Sequence, residues 1–304
     1  MKKFYLKVNL CFVLATGCCF GTMFTEHDIE EIKNSYNQGL MFQPSFSRPA
    51  PKFIYSINSE NEYLAAFAHD GDLVPYKAAQ SLGCTGEVSE IREIDTGKSN
   101  IIVSKFVYFI TNNSVITENI ESLLSNMKIK NSLSSNYGTI TFKDLLDSHS
   151  TINEEVRKLL MPLLDISSVQ RFYLFNYLTD QQDLNYTNCL FQIGVNSKIK
   201  PVTIDLEKAF KYLPSTGEDM YNFLFKEALD QNITEENLLI IQKNIIENNR
   251  LAELILILQE SEETIRASYI LEERINILFN LYQSAKNNPF SITELFNKGN
   301  IKLY

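Results

Sequence analysis

The chain has 304 residues, of which 44% are hydrophobic and 21% charged, with 11 Gly and 8 Pro. Enough apolar residues are present to build a core, which excludes a disordered or low-complexity protein, and its 5 cysteines are too sparse for a small disulfide scaffold. The 28 basic against 37 acidic residues give a formal charge of −9. This argues against general nucleic-acid binding, because neutralising phosphates takes clustered Lys and Arg.

The amino terminus begins with Lys2, Lys3 and Lys7, continues through the apolar run Leu10 to Ala15, and reaches the small residues Thr16 and Gly17. The order basic, apolar, small predicts an export signal over residues 1–23. The apolar run is too short to span a bilayer comfortably. Ala15-Thr16-Gly17-Cys18 is similar to a lipoprotein processing site with Cys18 as the lipidated residue. The expected location is therefore exported or secreted, with anchoring to a membrane surface through Cys18 as a variant of it. The alternative is an apolar strand or helix belonging to the folded domain.

Next, His27 to Leu40 reads as a short helix with Ile29, Ile32 and Tyr36 near one face. Phe42 to Pro51 carries three prolines and reads as a linker, so residues 24–50 form a helix-and-linker segment. From Phe53 the texture is that of strands. Phe53 to Ile57 and Tyr63 to Phe67 flank a polar stretch in a hairpin-like pattern. Asp72 to Leu82 predicts a helix with Gly83 as its stop. Glu87 to Ile94 and Ile101 to Ile110 read as a strand pair turning at Asp95 to Lys98, the second strand β-branched, aromatic and buried.

After Asn113 the pattern is helical. Glu118 to Met127, Phe142 to Ser148 and Ile152 to Leu164 predict helices, and Val169 to Leu178 predicts a very apolar one that belongs to the core. Two short strand-like runs follow, Cys189 to Gln192 and Pro201 to Ile204. Amphipathic helices then run from Met220 to Phe296, with starts at Thr234 and Ser261. A small strand-rich region followed by a larger helical one is α+β by class.

One constellation carries chemistry. The apolar helix ends in a polar loop with Asp183 and, five positions on, Asn188; a short strand follows, and a second strand ends at Asp205. Adjacent strand ends present Asn188 and Asp205 to one cleft. Oxygen ligands of this kind suit Mg²⁺, which binds few protein groups together with substrate phosphates. Asp183, on the preceding loop, is placed to orient a hydroxyl nucleophile and accept its proton, which is the division of labour of phosphoryl transfer. The plainer reading of Asp183 and Asn188 is a solvated turn. Glu207 reads as a surface residue, and Cys84 and Cys189 as buried small hydrophobes.

This stretch resembles the catalytic core of the phosphatidylinositol 3-/4-kinase-like and HipA-like kinases, a pattern shared with secreted Fam20-type kinases. The pattern is an apolar helix, a loop of the form DRHxxN, a short strand, and a strand ending in ID. Asp183-Leu184-Asn185-Tyr186-Thr187-Asn188 falls on the loop, and Ile204-Asp205 through Phe210 on the second motif. The resemblance implies a two-lobed protein-kinase-like fold, with a strand-rich N-lobe over residues 51–112 and a helical C-lobe over 113–304. It also implies Asp183 as catalytic residue, Asn188 and Asp205 as metal ligands, ATP with Mg²⁺ (or Mn²⁺) as cofactors, and a phosphoinositide or protein hydroxyl as acceptor. The later helix with Ile265, Leu271, Arg274 and Leu278 resembles the closing helix of the C-lobe.

The match has departures. The Arg and His of the loop pattern are Leu184 and Asn185, and Glu207 replaces the small residue after the second Asp. If Tyr63 to Phe67 is the third strand, Ala65 or Ala66 occupies the position of the phosphate-binding Lys, and Asp72 opens the helix where the family has Glu. If Phe53 to Ile57 is that strand, Glu62 falls on the helix and Lys52 lies at the strand's edge. Lys77 and Lys105 are other candidate cations. The competing functions are a nucleotide-binding pseudokinase, favoured by the missing Lys and Gly-rich loop, and a helical interaction module without catalysis.

Overall fold

The computed structural model describes residues 23–42, 53–55, 63–105, 161–181, 189–193, 198–204, 206, 209–210, 220–247, 250–259, 265–285 and 288–299. The described residues are mixed helix and strand, mostly helical, with a five-stranded antiparallel sheet and a two-stranded one.

Helix α1 (Glu26–Asn37) opens with a capping box: the Thr25 hydroxyl accepts from the Asp28 N–H and the Asp28 carboxylate from the Thr25 N–H. These bonds satisfy donors that the first helical turn leaves without partners. Five strands follow: β1 (Met41–Phe42), β2 (Phe53–Tyr55), β3 (Tyr63–Phe67), β4 (Ile91–Asp95) and β5 (Asn100–Lys105). They form an antiparallel sheet in the order β1-β2-β3-β5-β4. The hairpin pattern of β2 with β3 and the strand pair β4 with β5 are borne out in pairing; residues 56–57 and 106–110 of the expected strands lie outside the described residues. The first strand of that pair begins later than expected, at Ile91, because Thr85–Glu87 forms a 3-10 turn.

Register decides which side chains share a face. Ala65 stands opposite Lys105, Phe67 opposite Val103, and Ile94 opposite Ile101, and directly opposed residues project to the same side. Ala65, Ile94, Ile101 and Val103 join Phe24 and Ile32 of the α1 segment in one buried cluster. Helix α1 is therefore a cover for the sheet. Its far end is held to the β4–β5 turn: Asn37 Nδ2 donates to the Thr96 carbonyl at 3.0 Å, and Tyr36 and Ser99 share a hydroxyl hydrogen bond at 3.1 Å.

Helix α2 (Leu73–Leu82) begins at its N-cap Asp72 and ends at Gly83 with φ 74°, as the sequence predicts. The left-handed φ of 74° at Gly83 is what asks for glycine, since a Cβ there would meet only the movable end of the Asn244 side chain at 2.4 Å and Ile240 at 3.3 Å. Tyr76, Ala78, Ala79 and Leu82 of this helix pack into a second, larger core.

That core is built around α3 (Ile166–Thr179), where Phe172, Tyr173, Leu174, Phe175, Tyr177 and Leu178 are all buried. A helix with so broad an apolar surface is a core element. Around it lie α4 (Met220–Asp230), α5 (Glu235–Ile240, continuing as a π-helical segment Ile241–Ile246), α6 (Arg250–Gln259), α7 (Ile265–Ser284) and α8 (Ile292–Lys298). Thr234 caps α5 as expected; Ser261 lies outside the described residues. Met161–Leu163, read as the end of a helix, is a 3-10 turn. The hairpin of β6 (Cys189–Ile193) and β7 (Ile199–Thr203) packs beside α3.

Candidate functional site

Asp183, Asn188 and Asp205 lie outside the described residues, as do Cys18, Lys52, Glu62 and Glu207. The segments that border the three candidate site residues are described, and two of them, the end of α3 and the segment after Asp205, are joined by a hydrogen bond from Phe210 N–H to the Thr179 carbonyl.

The first border is the helix end. Asp180 adopts the left-handed conformation (φ 52°, ψ 39°), and both its N–H and that of Gln181 donate to the Asn176 carbonyl. This leaves the Tyr177 carbonyl without a helical partner. Arg274 of α7 fills the position: one guanidinium nitrogen donates to Tyr177 O, and the other donates to the Asp180 carboxylate at 2.6 Å. The same guanidinium lies 5.3 Å from the centroid of the Tyr177 ring.

The second border is the open end of the β6–β7 hairpin, where Cys189 pairs with Thr203. Cys189 directly follows Asn188, and Ile204 directly precedes Asp205. A parallel bridge joins Thr203 to Val88, and the Thr203 carbonyl accepts from Ser89 N–H at 3.0 Å. Ser89 Oγ in turn donates to the Lys105 carbonyl. The end of the hairpin is thus tied through one serine to the end of β5.

The third border follows Asp205. Leu206, Ala209 and Phe210 are buried. Phe210 has a positive φ of 63°, and its N–H donates to the Thr179 carbonyl at 2.6 Å.

Charged groups beside this junction are committed to one another. Arg171, in the middle of α3, pairs with the buried Glu87 at 3.0 Å and with Glu236 at 2.8 Å. Burial pushes the Glu87 carboxyl above its ordinary value, against the pull of Arg171 and Lys200. Lys200 donates to the Gly86 carbonyl at 2.8 Å, and burial holds its ammonium below its ordinary value despite Glu87 nearby.

Two of the candidate phosphate cations, Lys105 and Lys77, are described. Ala65 and Ala66 do occupy β3. Lys105 stands across from Ala65, but its ammonium meets Asp28 of α1 at 2.5 Å and faces the Phe24 ring. It serves to fasten α1 to the sheet. Lys77 lies exposed on α2. Asp72 is buried, and its carboxylate accepts from His69 N–H at 2.8 Å, a bond that starts the helix.

Two buried oxygens bordering the junction, Asn176 Oδ1 on α3 and Thr203 Oγ1 on β7, have no hydrogen-bond partner. A buried acceptor left unpaired costs about 1–3 kcal/mol. Among the described residues no set of three His, Cys, Asp or Glu gathers to hold a metal, and no helix is long and apolar enough to cross a membrane. A groove lined by Phe67, Leu73, Glu93, Asn100 and Ile102 opens near the β4–β5 turn. Cys84 is buried and free, as expected; burial pushes its thiol well up, so it is inert at neutral pH.

Sequence reasoning missed the Glu87–Arg171 and Asp180–Arg274 pairs. A signal for the first was a lone Arg inside an otherwise apolar helix, and for the second an Asp where helices usually end in Gly.

No family model matches this chain, and no curated protein matches it. Among solved structures, the crystal structure of a Helicobacter pylori proinflammatory kinase, CtkA, shows a likeness at 12% identity and a TM-score of 0.40, covering 81% of this chain and 96% of that one. At that identity and score, what this chain does rests on its own residues.

Proposed function

We propose that the chain is an atypical kinase that transfers the γ-phosphoryl group of ATP to a hydroxyl, within a two-lobed kinase-like fold. Two backbone contacts support the reading. Cys189, which follows Asn188 in the chain, pairs with Thr203, two residues before Asp205, and Phe210, five residues after Asp205, donates to the carbonyl of Thr179, four residues before Asp183.

In this reading Asn188 and Asp205 hold Mg²⁺, which neutralises charge on the nucleotide phosphates when bound. The unpaired oxygens Asn176 Oδ1 and Thr203 Oγ1 fit this use, since the hydration shell of a hard cation supplies donors for such acceptors. Asp183 orients the acceptor hydroxyl. Its oxygen forms a bond to the γ-phosphorus as the bond to the bridging oxygen breaks, ADP leaves with the electron pair, and the hydroxyl proton passes to the Asp183 carboxylate. Of the two described candidate cations, Lys77 is exposed, whereas Lys105 is engaged with Asp28. A phosphoinositide or a protein hydroxyl serves as acceptor.

The test is turnover of MgATP by purified protein, read as ADP released, with Asp183→Ala and Asp205→Ala alongside. Both variants are expected to fold and to lose turnover. Unchanged phosphoryl transfer in both removes the assignment. The second reading, a nucleotide-binding pseudokinase, is favoured by the alanines on β3; it expects stabilisation by nucleotide without ADP release.

A further inference from the structure

We infer that Arg274 is a positioning residue for the phosphoryl-transfer site, acting through Asp180 to set the direction in which the chain leaves α3. The inference rests on the proposed function for its consequence and on geometry for its substance.

Two features of the α3 terminus run against local preference. The residue past the end of a helix in left-handed conformation is usually Gly or Asn, because a Cβ is strained there; here it is Asp180, at φ 52°. An acid at this end also faces the negative pole of the helix dipole. One group offsets both. The Arg274 guanidinium binds the Asp180 carboxylate at 2.6 Å and caps the Tyr177 carbonyl with its other nitrogen. Its guanidinium carbon lies over the Tyr177 ring, 5.3 Å from the centroid. A planar fork with several donors can do these things together, whereas an ammonium is a point charge on a flexible stem.

Arg274 is itself fixed. It is buried on α7, between Leu271 and Leu278, three and four positions away on the same face and both in the core. Force applied at the helix end is therefore borne by the main core. The next residue, Gln181, is buried and bonded to the Asn176 carbonyl, and Asp183 follows two positions later. A Gly at position 180 satisfies the backbone without this clamp. The use of Asp with a distant Arg buys a fixed direction where helix formation alone does not ask for one.

The experiment uses the full chain and four variants: Arg274→Met, Arg274→Lys, Asp180→Gly and Asp180→Asn. The readouts are kcat and KM for MgATP turnover and the hydrogen-exchange rates of the Asp180 and Gln181 amides. Arg274→Met, Arg274→Lys and Asp180→Gly are each expected to lose at least tenfold in kcat, with KM for MgATP changing less than threefold. In all three the Asp180 and Gln181 amides exchange faster while those of Phe175 to Leu178 do not. Asp180→Asn, which tolerates the left-handed conformation and keeps an oxygen acceptor, retains kcat within threefold. Asp180→Gly relieves backbone strain, so it keeps the test alive if Arg274→Met does not fold. Unchanged kcat in Asp180→Gly and in any folded Arg274 variant, with Asp183→Ala inactive, overturns this role and leaves the proposed function standing. A fall in kcat matched by lost thermal stability, without selective exchange at positions 180 and 181, also overturns it. Turnover that survives in Asp183→Ala removes the proposed function itself, and this role with it.

Discussion

Phe210 donates its backbone N–H to the carbonyl of Thr179, 2.6 Å away. The chain that passes through Asp205 thus comes back to the helix that leads to Asp183. This return needs Phe210 in a left-handed conformation, φ 63°, which an L-residue adopts at a cost of about 1–2 kcal/mol.

A reversal of the usual order at this position follows. Phe210→Ala loses the buried ring and keeps the strain. Phe210→Gly loses the ring and sheds the strain. The glycine variant is expected to be the more stable by about 1 kcal/mol, measured by urea unfolding. An alanine variant equal to or more stable than the glycine variant contradicts the conformation assigned here.

The pair Glu87–Arg171 joins the turn ahead of β4 to the middle of α3. Glu87 is 2% exposed. Glu87→Ala leaves Arg171 with Glu236 as its remaining carboxylate partner, at an exposed position, and half of a buried pair then stands open. We expect a loss of about 1–3 kcal/mol in chemical denaturation, and a smaller loss for Glu236→Ala, because Glu236 itself is mostly exposed. Equal, small effects for both contradict a buried, structural role for Glu87.

Asp28 supplies a pH dependence. Burial pushes its carboxyl up, but the hydrogen bond from Lys105, those from Thr25 and the Lys105 charge together hold it below its ordinary value. A carboxyl lowered on folding stabilises the fold above its unfolded pKa of about 3.9, and that contribution is lost as pH falls through the folded value. Wild-type protein is therefore expected to lose thermal stability in acid more steeply than Asp28→Asn, which lacks this group and starts lower at neutral pH. Parallel melting curves across an acid series contradict the pairing of Asp28 with Lys105.

Much of the fold was legible in the sequence where the causes are local. Helix α2 was bracketed by Asp72 and Gly83; Asp72 occupies its N-cap position, without a side-chain capping bond, and Gly83 is its left-handed stop. The run Val169 to Leu178 had no polar face wide enough for solvent, and α3 is buried. The turn between β4 and β5 carries Gly97 at φ 79°, within the expected turn Asp95 to Lys98. What escaped the sequence depends on partners far along the chain. Lys105 read as a candidate phosphate cation, yet its ammonium is held by Asp28, 77 positions away. The first strand of the β4–β5 pair starts late because Glu87 is drawn to Arg171 and Val88 bridges to Thr203. Asp180 looked like any polar loop residue, and only the fold brings Arg274 to it. For the candidate site, chain order suggested that strand ends would be adjacent, and the Cys189–Thr203 register places the neighbours of Asn188 and Asp205 side by side.

The account turns on a Mg²⁺-dependent nucleotide site at this junction, and thermal melting of the full chain with ATP tests it most directly. Wild-type protein is expected to melt higher with ATP and Mg²⁺ together than with either alone, by the equivalent of about 2.7 kcal/mol at a hundredfold excess over Kd. Asp205→Ala and Asn188→Ala are expected to fold and to lose that increment. No increment in the wild type, or the same increment in all three proteins, contradicts the account.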